Sequence, residues 1–175
     1  MKGSTVLGIV VISVLLWNFA LAADDDDKDP NIFTTENFKY FIETKQKYNW
    51  SEAATECENK KMNLVSIDTK AKSDDVKIIL NEAFLNNKKR IPSMFIGAND
   101  LVEFRDFIWL PKGDVFTYTN WEKNEPNNYR KLNERCVHLG YHGDEKWNDI
   151  NCARKLGFIC EQLLNPEGGE AVPKV

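Results

Sequence analysis

The chain has 175 residues, 27 of them acidic and 23 basic, for a net charge of −4. With no clustered basic face, this balance excludes a nucleic-acid binder, and the densest basic run, Lys88-Lys89-Arg90, reads as a solvated loop. Once a leader and a tail are set aside, about 150 residues remain, enough for one domain with a single core.

Residues 1–22 combine Lys2, an apolar run over 6–19 and small residues at Ala20 and Ala22. This is the pattern of a cleaved secretory signal, too short and poorly flanked for a membrane span, so an exported, extracellular protein is expected. Asp24 to Asp27 and Lys28 follow, all charge and no apolar surface, so 23–37 is expected to be an acidic disordered segment. The same string is the recognition sequence of enteropeptidase. An engineered scar and a natural acidic propeptide both stay open. From Asp29 onward there are 23 acidic and 21 basic residues, a net charge of −2.

The folded domain is expected over 38–163, opening with a strand at 38–44. Asn49 and Glu52 are spaced as a helix cap and its capping box, and Trp50, Ala53, Ala54 and Cys57 then share one helical face. Asn49-Trp50-Ser51 is also a glycosylation sequon, although the same Asn49 is wanted as the cap. A second helix is predicted over 69–84, where Val76, Ile79, Leu80, Ala83 and Phe84 form an i, i+3, i+4 core stripe. Short apolar runs at 94–96, 107–110, 115–118, 136–139 and 158–161, separated by turn residues, read as antiparallel strands. The stretch 164–175, with Pro166, two glycines and Pro173, reads as a flexible tail.

Between Trp121 and Cys136, and again between Leu139 and Cys152, the sequence turns polar, as functional loops do. These stretches carry Glu125, Asn127, Glu134, Asn148 and Asp149. All five are hard oxygen donors, three carboxylates and two amides, a set suited to Ca2+. Calcium takes six to eight oxygens, so this set leaves coordination positions for a ligand. Cys57, Cys136, Cys152 and Cys160 imply two disulfides in an exported chain, and spacing alone leaves three pairings open. With no Cys-x-x-Cys pair and only His138 and His142 as imidazoles, zinc is disfavoured. A hydrolase would need a nucleophile or base held by a second group, which the sequence does not offer.

Trp50-Ser51-Glu52-Ala53 leading to Cys57, Phe95-Ile96-Gly97, Glu125-Pro126-Asn127, Trp147-Asn148-Asp149 and the spacing of Cys136, Cys152 and Cys160 together resemble the C-type lectin domain. The likeness runs from Phe38 to Glu161 and is to the short, secreted single-domain form of invertebrate body fluids. It implies an α+β fold, two helices flanking antiparallel sheets with a long calcium-binding loop region, and disulfides Cys57–Cys160 and Cys136–Cys152. In the chain-entropy model the longer loop is worth nearly 5 kcal/mol and the shorter about 3.

The resemblance further implies a cis Pro126, a calcium ion on the five oxygen donors, and sugar hydroxyls bound by the same five. The Glu-Pro-Asn order implies mannose-type sugars with equatorial 3- and 4-hydroxyls: mannose, N-acetylglucosamine, glucose and fucose. Tyr129 stands where galactose-binding relatives place a stacking aromatic; it reads first as an exposed loop residue, since isolated surface aromatics are ordinary, with sugar contact as the alternative. An auxiliary calcium site is expected to be lost: Asp100 and Glu134 remain, whereas Phe104, Asn128 and Arg135 replace further carboxylates. One monosaccharide should bind near millimolar, about −4 kcal/mol, so self-association or a partner chain is expected to supply avidity on microbial or host glycans. The alternative within this fold is a protein-binding module without sugar binding.

Overall fold

The computed structural model describes residues 29–129 and 133–164. The expected signal, the acidic string and nearly all of the expected tail lie outside the described residues. Nine strands and two α-helices follow in the order β1 (Ile32–Thr34), β2 (Phe38–Tyr48), α1 (Trp50–Asn59), β3 (Asn63–Leu64), α2 (Lys70–Ala83), β4 (Met94–Asn99), β5 (Ile108–Trp109), β6 (Asp114–Val115), β7 (Glu134–Leu139), β8 (Trp147–Asn151) and β9 (Leu156–Leu163).

α1 begins where the capping box predicts. Asn49 Oδ1 accepts the Glu52 amide at 2.9 Å, and Glu52 Oε2 accepts the Asn49 amide at 2.8 Å. Its apolar face turns Trp50, Ala53 and Cys57 inward, and Cys57 bonds to Cys160 of β9. α2 is capped by the Thr69 hydroxyl and buries Val76, Ile79 and Leu80.

β9 lies between the two helices. Five consecutive residues, Leu156 to Cys160, are buried because both faces of the strand are covered. Ile159 packs in the cluster that holds Val76, Ile79 and Leu80 of α2, whereas Phe158 and Cys160 join Trp50, Ala53 and Cys57 of α1. β4 divides in the same way, with Met94, Ile96 and Ala98 on the α2 side and Phe95 on the α1 side. A Cβ on Gly97 would lie 2.7 Å from the Leu64 carbonyl oxygen, so this crossing needs glycine.

Three expectations are corrected. The sheet is mixed, because β4 runs parallel to β9 with Phe95 opposite Phe158, while the other strand pairs are antiparallel. Ile32–Thr34, within the segment expected to be disordered, forms β1 on the edge of β2 and packs Phe33 against the core. Trp147–Asn151, within a stretch read as loop, is β8 and pairs with β7. Its polar residues show no apolar alternation, but backbone pairing to β7 satisfies the main chain and leaves their side chains for other work. The second disulfide, Cys136–Cys152, fastens β7 to the end of β8.

Candidate functional site

The site is built on Trp147. Its side chain is buried edge-on against Trp109 and Trp121, with ring centroids 5.4 and 5.7 Å away. Its amide donates to the Asn120 carbonyl at 3.0 Å, and its own carbonyl accepts the Glu122 amide at 2.8 Å. The Glu125 amide then closes on the Glu122 carbonyl at 3.0 Å. The polar loop is thereby fixed to the start of β8.

Glu125-Pro126 is cis, as expected, and a second cis bond occurs at Leu110-Pro111. Asn124 and Asn128 flank the loop in the left-handed region, with φ of 71° and 45°, which asparagine tolerates better than most residues. Asn127 Nδ2 donates to Glu125 Oε1 at 2.8 Å, setting those two side chains side by side. Glu134 Oε2 accepts the Tyr129 amide at 2.5 Å, and Asn128 Oδ1 accepts the Glu134 amide at 3.0 Å.

Glu125, Asn127, Glu134 and Asn148 line one open cavity of about 470 Å³, together with Tyr129, Tyr141, Ile150, Asn151 and Arg154. Asp149 is not among the lining residues. It is fully buried, and its carboxylate holds the loop: Oδ1 accepts the Asn127 amide at 2.9 Å and Oδ2 the Asn128 amide at 2.9 Å. Four of the five expected donors therefore share a cavity, and the fifth lies outside its lining.

Asn148 and Asp149 come from β8, opposite His138 and Val137 of β7. Asn148 Nδ2 donates to the Asp149 carbonyl at 2.6 Å and lies 3.1 Å from His138 Nε2. Burial pushes the His138 imidazole down to about 4. The neutral ring accepts from Asn148 through Nε2 and, in that tautomer, donates through Nδ1 to the Leu139 carbonyl at 3.2 Å. Both amide hydrogens of Asn148 are thus engaged, and its oxygen carries the remaining coordinating capacity.

Charge in the site is unbalanced. Burial, then the Asp149 carboxylate within hydrogen-bonding reach, and then Glu134 push the Glu125 carboxyl up to about 7. Glu125 Oε2 is buried and takes no hydrogen bond. Burial also raises Glu134, with the Tyr129 amide pulling against it. Among the described residues, no three carboxylate, imidazole or thiolate side chains alone are grouped to hold a metal. Glu125, Glu134 and Asp149 therefore do not form a three-carboxylate centre by themselves, and the fit to a hard cation rests on the buried, unpartnered Glu125 oxygen beside the two amides. These residues fit calcium.

At the positions expected to have lost an auxiliary ion, Arg135 Nε donates to Asp100 Oδ1 at 2.6 Å, and Arg135 Nη2 reaches the Asp100 carbonyl. Arg105 Nη1 donates to Asp149 Oδ2 at 2.9 Å. Sequence reasoning missed His138 and Arg105 as contributors. His138 is two residues from Cys136, hence on the same strand face, which is a usable signal. Arg105 lies in an aperiodic turn that offered none.

The Lectin C-type domain profile matches residues 46–162. The chain is 36% identical over 136 residues to lectin subunit alpha of Sarcophaga peregrina, covering 70% of this chain and 44% of that protein. It is 33% identical over 159 residues to a C-type lectin mannose-binding isoform of Oxyuranus scutellatus, covering 87% of this chain and 95% of the relative. The carbohydrate-recognition domain of cow CD23, solved in the presence of a GlcNAc2Man3 oligosaccharide, superposes with a TM-score of 0.61 at 28% identity, covering 76% of this chain and 93% of that one. With its two helices, mixed sheet and paired cysteines, the chain belongs to the C-type lectin domain family.

Proposed function

We propose that this lectin domain binds mannose-type sugars through a calcium ion held by Glu125, Asn127, Glu134, Asn148 and Asp149. The observation that carries the reading is Glu125 Oε2, buried without a hydrogen bond and beside a second carboxylate. Calcium, when bound, supplies coordination positions for two neighbouring sugar hydroxyls. Glu125 and Glu134 accept hydrogen bonds from those hydroxyls, and the Asn127 and Asn148 amides supply donors. Asp149 anchors Asn127 and Asn128 from below while completing the donor set.

The Glu-Pro-Asn order and the mannose-binding relative of Oxyuranus scutellatus support equatorial 3,4-diols. Tyr129 lines the cavity and is 53% exposed, which supports its stacking on a bound sugar. The family is one of non-enzymatic carbohydrate-binding proteins, so the domain is not an enzyme. Among the described residues no helix is long and apolar enough to cross a membrane. Export to the extracellular space, the residue 1–22 signal, and avidity through self-association or a partner chain belong to the same proposal, with innate glycan recognition or agglutination as its outcome.

The test is retention of the pure protein on mannose-agarose at neutral pH. Elution by EDTA and by free mannose is expected. Retention in excess EDTA refutes the calcium mechanism, and retention on galactose in place of mannose refutes the sugar assignment.

A further inference from the structure

We infer that Arg105 is a positioning residue that serves as a built-in cation, joining the two halves of the ion site to each other before any metal arrives. The inference rests on the calcium reading above and concerns this chain's own contacts.

The Arg105 guanidinium touches both halves. Nη1 donates to Asp149 Oδ2 of β8 at 2.9 Å, and Nη2 donates to the Pro126 carbonyl in the Glu125-Pro126-Asn127 loop. The side chain of Asp149 is wholly inaccessible and that of Arg105 is 31% exposed, so the pair lies where solvent screens it only partly. Asp149 Oδ2 already accepts the Asn128 amide and Oδ1 the Asn127 amide. A carboxylate has about four acceptor positions, so Asp149 is three-quarters committed to holding the loop and its clamp. An uncompensated carboxylate in this position would be costly, and the guanidinium compensates it.

Arg105 is itself held with unusual care. Its φ is 74°, a left-handed conformation that a long side chain seldom adopts and that persists only where surroundings fix it. Its amide donates to Asp100 Oδ2 at 2.6 Å. Asp100, also fully buried, is in turn clamped by Arg135. The Phe104 ring is close to both guanidiniums, its centre 5.9 Å from Arg105 and 5.4 Å from Arg135. Two buried acids, two arginines and one aromatic ring thus make a metal-free brace behind the cavity. A planar fork can bridge a carboxylate and a carbonyl at once, which lysine cannot do.

The test compares amide exchange of Asn127 and Asn128 in the intact chain in EDTA, for wild type, Arg105→Gln and Arg105→Lys, with the Ile159 amide of β9 reporting the fold. Wild type should protect both loop amides without metal. Arg105→Gln should speed their exchange about tenfold or more, with Ile159 unchanged. Arg105→Lys, keeping charge but one contact, should fall between. Loop amides as exposed in wild type as in Arg105→Gln overturn the inference, as does loss of Ile159 protection in both variants. A wild type that takes up no calcium refutes the proposed function instead, and leaves the exchange comparison standing.

Discussion

Asn148 Nδ2 lies 3.1 Å from His138 Nε2, across adjacent strands and inside the protein. The imidazole is 1% exposed, and burial keeps it neutral. Its free nitrogen thus accepts one Asn148 hydrogen and turns the amide oxygen away from the histidine. An apolar replacement leaves that hydrogen unpaired in a buried place, at a cost of about 1 to 3 kcal/mol. His138→Leu should therefore weaken calcium binding about tenfold, as loss of a ligand-orienting partner does, and lower the urea midpoint. Titration calorimetry and urea melts check both, and an unchanged calcium affinity shows that His138 does not orient Asn148.

On the proposed calcium reading, Glu125 should tie ion uptake to pH well above the ordinary carboxylate range. A carboxyl raised from 4.5 in the unfolded chain to about 7 in the metal-free fold keeps its proton across that window. The folded chain binds more protons there than the unfolded one, so metal-free stability falls as pH rises from 4.5 through 7. Calcium must displace that proton, and its affinity should fall by about tenfold per pH unit below 7. Calorimetry in buffers of different ionisation enthalpy should register one proton released per ion near pH 6. Glu125→Gln should remove most of that release, leaving only the contribution of Glu134, which burial also raises.

Sugar choice should follow the Glu125 and Asn127 pair, whose side chains are already hydrogen-bonded to one another at 2.8 Å. Exchanging their chemistry, Glu125→Gln with Asn127→Asp, reverses which side supplies acceptors and which supplies donors. Preference on a glycan array should then move toward galactose, helped by the neighbouring Tyr129 ring. An unmoved preference would assign selectivity to other residues of the cavity.

The two disulfides should separate stability from binding. Cys136–Cys152 closes a span of 16 residues beside β7 and β8, and Cys57–Cys160 a span of 103 between α1 and β9. Replacing the first pair by alanine should cost about 3 kcal/mol in a urea melt and also weaken calcium binding, because it frees the end of the strand that carries Asn148 and Asp149. Replacing the second should cost nearly 5 kcal/mol, enough to unfold a domain of marginal stability.

Local chemistry alone determined much of this protein. The Asn49 cap, the 3.6-residue stripe of α2 and the apolar runs of β4, β7 and β9 are short-range signals, because capping and periodicity act within a few residues. The oxygen-donor set could be read for the same reason, since ligand type needs no coordinates. Tertiary structure decided the rest. β8 has no alternation of its own and is a strand because β7 pairs with it. β1 exists because an edge of β2 was open to it, and β4 runs parallel to β9 because chain crossings are settled by global packing. Asp149 could be singled out as a candidate donor from its neighbours, but only the fold made it the anchor of the Asn127 and Asn128 amides and the partner of Arg105. Those contacts join positions 21 to 44 residues apart, a distance over which no local pattern carries information.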